Sequence, residues 1–350
     1  MSLTVIYPQI VGGCPRLDGV LTHALADVPH RIVNNMAALG DLRDQRLLFA
    51  VPLGQFGINP AYQQLLLALR RDPTLLTGCT AGLIVDGESE LYTKSTATEL
   101  TLAANLAGCA FVGRPLVEGT GSLANLRVQA DNLNCTPEQA YHATARELVQ
   151  RILAYSSAKK ERPELLVLHA SNHHISNTLD LWDAVAARLR QRCTITEIGL
   201  RNGTVFDCSG CPYTMCLHFG EQGGCFYGSV MQDEVFPAVR RADAIVMVCP
   251  NYNDAISANL TAFVNRLTAL FRQTRFYDKA LFAIVVSGYS GGDVVARQLI
   301  GGLNMNKSFH LPGNFALMET ANAPGEALRL PGIDQRLDAF SQIISDTVCK

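Results

Sequence analysis

The chain has 350 residues, 48% of them apolar and 17% charged, with a formal net charge of −2. That length is comfortable for two domains with buried cores. A near-neutral balance without a long basic run excludes a nucleic-acid surface, and no stretch approaches the roughly 20 apolar residues of a membrane span. The opening MSLTVIYPQIVGG lacks the basic start and long apolar run of a signal peptide, so a cytoplasmic location is expected. Eleven cysteines is an odd number in a large chain, which argues against a secreted disulfide framework; four of them fall between 208 and 225.

In chain order, Leu3–Tyr7 reads as a strand, Pro8–Pro15 as a Gly/Pro loop and Leu17–Ala26 as a helix. Arg31–Asn34 is a second strand, and Leu47–Pro52 a third, stopped by its proline and followed by the helix Ala61–Arg71. Ala81–Val85 and Phe111–Val117 are strands on either side of a helix at Thr98–Ala107. Thr136 caps a long helix, Pro137–Tyr155, with proline in its first position. The polar stretch SSAKKERPE, Ser156–Glu164, reads as a linker.

After the linker the same order begins again. Leu165–His169 is a strand, Thr178–Arg192 a helix, Thr194–Gly199 a strand and 208–225 a Cys-rich loop. Ala244–Cys249 is a wholly apolar run, as expected of a parallel strand buried on both faces. Pro250 ends it. Ser257 is a candidate cap for the amphipathic helix Ala258–Thr274, whose apolar residues Leu260, Phe263, Val264, Leu267 and Leu270 recur at helical spacing. Leu281–Ser287 and Phe315–Met318 are strands, with helices at Asp293–Leu303 and Ile333–Val348.

The repetition suggests an internal duplication. A shift of 198 puts Pro52 on Pro250 and Ile58 on Ile256; a shift of 201 puts Gly87 on Gly288, Ser89 on Ser290, Asn105 on Asn306 and Glu118 on Glu319. The expected fold is α/β: two tandem, flavodoxin-like, doubly wound parallel sheets of five strands in the order 2-1-3-4-5, with domains at 1–158 and 159–350. Ligands of such sheets bind at the carboxyl ends of the strands, at the switch point between the first and third.

Three loops of the second half occupy those positions. Ser171 to Thr178, SNHHISNT, is a hydroxyl- and amide-rich turn entering a helix, a phosphate cradle by its residue types. Pro250-Asn251-Tyr252-Asn253 follows the third strand, and Ser287-Gly288-Tyr289-Ser290-Gly291-Gly292 follows the fourth, with glycines that permit close approach of a flat ligand. Each loop alone also reads as an ordinary surface turn; their convergence favours a site.

A strand ending in Pro-x-Tyr, then a loop and L-x-x-F-V-N-R at 260–266, resembles flavodoxin-like NAD(P)H-dependent FMN reductases, and most of all their iron–sulfur flavoprotein branch, over about residues 164–320. The family's phosphate motif is S-x-R-x-x-[GS]-N-T. Ser171, Ser176, Asn177 and Thr178 match it, and His173 stands where the family has Arg. The resemblance implies FMN held by Ser171, His173, Ser176, Asn177, Thr178, Pro250, Asn251, Tyr252, Asn253, Ser287, Gly288 and Tyr289, with Tyr252 along the flavin ring. No catalytic side chain is expected, because the chemistry takes place at flavin N5. Cys208-x2-Cys211-x4-Cys216-x8-Cys225 is a set of thiols suited to a [4Fe–4S] cluster, to zinc, or to neither if the thiols stay free. The branch carries a tighter Cys motif at that place.

The first half lacks this equipment. Its first loop, PQIVGGCPRLD, has no Ser or Thr, and its fourth-strand loop carries Glu88 and Glu90. It reads as a degenerate flavodoxin-like copy without cofactor. The whole chain is expected to be a cytoplasmic FMN oxidoreductase, an iron–sulfur flavoprotein drawing electrons from NAD(P)H or a carrier such as ferredoxin and working as a homo-oligomer. The rival readings are an electron carrier without NAD(P)H turnover and a zinc-stabilised binding or regulatory module.

Overall fold

The structure, a computed structural model, describes residues 2–171 and 176–350. Its chain contacts divide into two compact units, Met1–Ser156 and Ser157–Lys350.

In the first unit the order is β1 (Leu3–Ile6), α1 (Pro15–Ala24), β2 (His30–Val33), β3 (Arg46–Leu53), α2 (Pro60–Arg71), β4 (Thr80–Gly87), α3 (Thr93–Leu106), β5 (Ala110–Gly119), α4 (Arg127–Leu133) and α5 (Pro137–Ala154). The strands pair in parallel in the order β2-β1-β3-β4-β5. α5 opens with a capping box in which Thr136 Oγ1 accepts from the Gln139 N–H and Gln139 accepts from the Thr136 N–H. One core cluster joins the sheet to α1 and α5 through Leu17, Val20, Tyr141, Leu148 and Ile152.

The second unit runs β6 (Glu164–His169), α6 (Asn177–Leu189), β7 (Thr194–Gly199), α7 (Tyr213–Glu221), α8 (Phe236–Arg241), β8 (Ala244–Pro250), α9 (Ala258–Phe271), β9 (Ala280–Ser287), α10 (Gly292–Leu299), β10 (Ala316–Thr320) and α11 (Ile333–Val348). Its sheet is parallel, in the order β10-β9-β8-β6-β7. Each sheet therefore has the 2-1-3-4-5 order, with the switch point of the second between β6 and β8. Every residue from Ala244 to Cys249 is fully buried, and so is every residue from Ala280 to Val285. This is why these central strands read as unbroken apolar runs; each such Val, Ile or Leu contributes about 1.5–3 kcal/mol by leaving water. Trp182 of α6 and Phe340 of α11 close one face of the sheet.

Three local differences from the sequence reading have physical causes. α3 starts at Thr93 rather than Thr98, because Tyr92 takes a left-handed conformation (φ 79°) and turns the chain into the helix early. Within the Cys-rich loop, Tyr213–Glu221 winds into α7, and a π-turn at Met231–Val235 leads into α8. α10 continues as a π-turn over Ile300–Met305, which shifts the register of the duplication. The asparagines that share a role are Asn105, donating to Cys109 O at 2.9 Å, and Asn304, donating to Phe309 O at 2.7 Å, rather than Asn105 and Asn306. In the sheets Pro52 lies opposite Asp86, and Pro250 opposite Val286. Asp86 and Val286 are thus equivalent, and Gly87 corresponds to Ser287, one residue away from the Gly87–Gly288 alignment.

Candidate functional site

β6, β8 and β9 all end on the same side of the second sheet, and the loops that leave them enclose a cavity of about 720 Å³. Ser171, Ser176, Asn177, Thr178, Pro250, Asn251, Tyr252, Asn253, Gly288 and Tyr289 all line it. His173 lies outside the described residues. Ser287 is 1% exposed and stands behind the cavity rather than in its wall. Ala170 after β6, Asn202 after β7, Val286 of β9 and Ala321–Asn322 after β10 complete the lining among the described residues. None of the lining residues among those described is charged.

α6 points its N-terminus at this space. Ser176 caps it: its Oγ accepts from the Leu179 N–H at 3.3 Å and is 2.8 Å from Thr178 Oγ1. Asn177 lines the cavity and also makes contacts within the fold. Its Nδ2 donates to Ala323 O at 2.9 Å, and its Oδ1 accepts from the Ala327 N–H at 3.2 Å, tying the start of α6 to the loop after β10.

Asn251 organises the opposite wall. Its Nδ2 donates to Ser287 Oγ at 3.1 Å, Ser290 O at 2.9 Å and Asp254 Oδ1 at 3.2 Å, joining the loops after β8 and β9. Asn253 and Asp254 both take left-handed φ, 54° and 57°, so the chain doubles back and Tyr252 and Ala255 pair through their backbones. Gly288 has no Cβ, and one would stand 3.2 Å from Asn322 Oδ1. At the mouth, Tyr252 is 54% exposed and Tyr289 84% exposed.

Two polar atoms in the wall are buried without a hydrogen-bond partner, Ser171 Oγ and Asn251 Oδ1. An orphaned buried polar atom costs about 1–3 kcal/mol, so two in one cavity fit a wall completed by a polar ligand. Among the described residues the donor set is hydroxyls, amides and a helix N-terminus, with no carboxylate, which suits a phosphate ester. The broad opening with two exposed tyrosines suits a flat aromatic ring. Cys249, the last apolar residue of β8, is fully buried, and burial holds its thiol well above the ordinary range, so it offers no thiolate here.

At the equivalent strand ends of the first unit an ion pair takes the place of the open wall. Asp86, nearly fully buried, takes the place of Val286, and Arg16 at the start of α1 reaches across to it. The guanidinium donates from Nε to Asp86 Oδ2 at 2.9 Å and from Nη2 to Oδ1 at 2.9 Å. It also donates to Gly87 O at 2.9 Å and Gly121 O at 3.1 Å, while the Tyr141 hydroxyl donates to Asp86 Oδ2 at 3.0 Å.

Among the described residues no three His, Cys, Asp or Glu side chains are placed to hold a metal ion, and this includes Cys208, Cys211, Cys216 and Cys225. Winding of α7 places Cys216 within a helix, Cys208 and Cys211 stay in the irregular loop before it, and the Cys225 N–H is held by Gln232 Oε1 at 3.0 Å. No described helix is long and apolar enough to cross a membrane.

Residues 163–323, all within the second unit, match the model of a family described as NADPH-dependent FMN reductase. Several solved structures are similar to about half of this chain. That of RosB with a bound 8-demethyl-8-formylriboflavin-5′-phosphate intermediate is 13% identical and covers 52% of this chain and 78% of its own, with a TM-score of 0.40. The NAD(P)H:quinone oxidoreductase from Methanothermobacter marburgensis is 15% identical over 53% of this chain and 95% of its own, with a TM-score of 0.38. An azoreductase from Bacillus anthracis str. Sterne is 15% identical over 53% and 99%, with a TM-score of 0.39. No curated protein sequence matches the chain.

Proposed function

We propose, from the premise that the second unit is a domain of the NADPH-dependent FMN reductase family and hence an NAD(P)H-dependent oxidoreductase, that its 720 Å³ cavity holds FMN. The observation that carries this reading is the pair of buried, unpartnered atoms, Ser171 Oγ and Asn251 Oδ1, in a wall whose described residues include no carboxylate. Ser171 and the start of α6 would hold the phosphate. The backbone at Pro250–Asn253 and at Gly288–Tyr289 would hold the ring, with Asn251 fixing the distance between those two loops.

FMN, when bound, accepts a hydride from NAD(P)H and returns electrons to an acceptor. The chain's own part is binding and orientation. Ser176 and Thr178 keep the N–H groups of α6 aimed at the site, Asn177 fixes the loop beyond β10, and the exposed rings of Tyr252 and Tyr289 offer apolar faces to a second flat molecule. The same exposed rings favour a homo-oligomer in which a neighbouring subunit covers them. In the first unit the Arg16–Asp86 pair stands at the matching strand ends, so that unit is read as the copy without cofactor.

Anaerobic mixing of the FMN-loaded chain with NADPH or NADH tests the activity. Bleaching of the flavin absorbance followed by steady turnover with a quinone or azo dye is the expected result. FMN that stays oxidised, or is reduced without turnover, supports the electron-carrier alternative. A [4Fe–4S] cluster rests on the cysteine spacing and on the resemblance to the iron–sulfur flavoprotein branch, and the described thiols would have to be drawn together to hold it. Iron and acid-labile sulfide at about four each per chain after anaerobic purification would establish it, and their absence removes it together with any electron transfer to ferredoxin through it.

A further inference from the structure

His169 is the last residue of β6, two positions before Ser171, and its side chain is 2% exposed. Both ring nitrogens are engaged: Nδ1 is 3.2 Å from the Ser171 carbonyl oxygen, and Nε2 is 3.2 Å from Glu197 Oε1. A carbonyl oxygen can only accept, so the ring donates to Ser171 O through Nδ1–H, with Nε2 set against Glu197. Glu197 is held in turn by Trp182 Nε1–H, which donates to its Oε2 at 3.1 Å. Period-two alternation places Glu197 and Gly199 on one face of β7, and Gly199 lies directly opposite His169 in the ladder. A Cβ at Gly199 would stand 3.1 Å from His169 Cε1, so the bare backbone there makes room for the ring.

The geometry points to His169, locked by Glu197 and Trp182, as the positioning residue of the phosphate site: we propose that its Nδ1–H ties back the Ser171 carbonyl and so aims the unpartnered Ser171 Oγ into the cavity. This rests on the FMN reading above. The device belongs to this chain's own residues, since it is built from a histidine before the motif serine and a carboxylate on the neighbouring strand.

The test compares FMN with riboflavin, which lacks the phosphate, by quenching of flavin fluorescence on titration with the full chain. His169→Leu should weaken FMN by about 10- to 100-fold, the effect expected for loss of a hydrogen bond to a charged group, and leave riboflavin within about threefold. His169→Asn, whose Nδ2 can take the place of Nδ1, should recover most of the FMN affinity. Ser171→Ala, a change small enough to leave the fold intact, should reproduce the FMN-selective loss. The inference is overturned if His169→Leu weakens both flavins alike, if His169→Asn is no better than His169→Leu, or if Ser171→Ala binds FMN as the unaltered chain does. If the unaltered chain binds neither flavin, the FMN reading fails and the inference falls with it.

Discussion

A negative charge placed at Ser176 should separate phosphate binding from ring binding. Ser176 caps α6 and lines the cavity, its Oγ accepting from the Leu179 N–H at 3.3 Å. Aspartate is as good a cap as serine and complements the positive end of the helix, so Ser176→Asp should leave the melting temperature unchanged or slightly raised. Taking about 6 Å between the new carboxylate and a phosphate at the same helix end sets the scale of the repulsion. At an effective dielectric constant of about 40, one charge and a phosphate of about −2 then repel by about 3 kcal/mol, roughly a hundredfold in affinity. Titration calorimetry with FMN and with riboflavin reads both numbers. The account expects a hundredfold loss for FMN, shrinking as salt is raised, and less than threefold for riboflavin. Equal losses for both flavins, or none for FMN, would refute the placement of the phosphate. The corresponding change at Asn177 is a poorer probe, because that side chain holds Ala323 and Ala327 and its loss would disturb the loop whatever binds.

Arg16→Ala should leave the Asp86 carboxylate buried without its partner and destabilise the first unit by about 3–5 kcal/mol, measured by chemical denaturation. The double change Arg16→Met with Asp86→Val, which restores an apolar pair, should recover most of that loss. Burial pushes His310 down to about 4 from an ordinary value near 6.5. The unfolded chain therefore binds the proton first, and stability falls as pH drops from about 7 to 4, by about 3 kcal/mol at the lower end. His310→Phe should flatten that part of the stability profile, whereas an unchanged slope would refute the assignment. Asn177→Ala should cost about 2 kcal/mol and lower the melting temperature of the second unit by roughly 4–8 °C.

The strands were legible because parallel strands buried on both faces become short apolar runs, as at Ala244–Cys249, and because Pro52, Pro250 and the Gly-rich turns mark where they stop. The cavity was legible for a related reason: loops after the first, third and fourth strands must converge in this topology, and their residue types are unusual together. What escaped the sequence reading depends on which side chains meet across the fold. No spacing rule shows that Asp86 occupies the place of Val286 and recruits Arg16, or that Gly199 opposite His169 leaves space for an imidazole to reach Glu197. Asn202 and Asn322 follow the second and fifth strands, so attention to every carboxyl-end loop would have found them. Helix α7 was hidden by reading 208–225 for its thiols; Thr214, Met215, Leu217 and Phe219 beside Cys216 already carry helical turns.

The central claim is that one flavin site exists, in the second unit. Its most direct test is the stoichiometry of FMN in the full chain after saturation and removal of excess, read from the flavin absorbance against protein concentration and repeated with Arg16→Met/Asp86→Val. The account predicts one FMN per chain in both proteins, lost on Ser176→Asp. No FMN in folded protein, or two per chain in the unaltered protein, would contradict it.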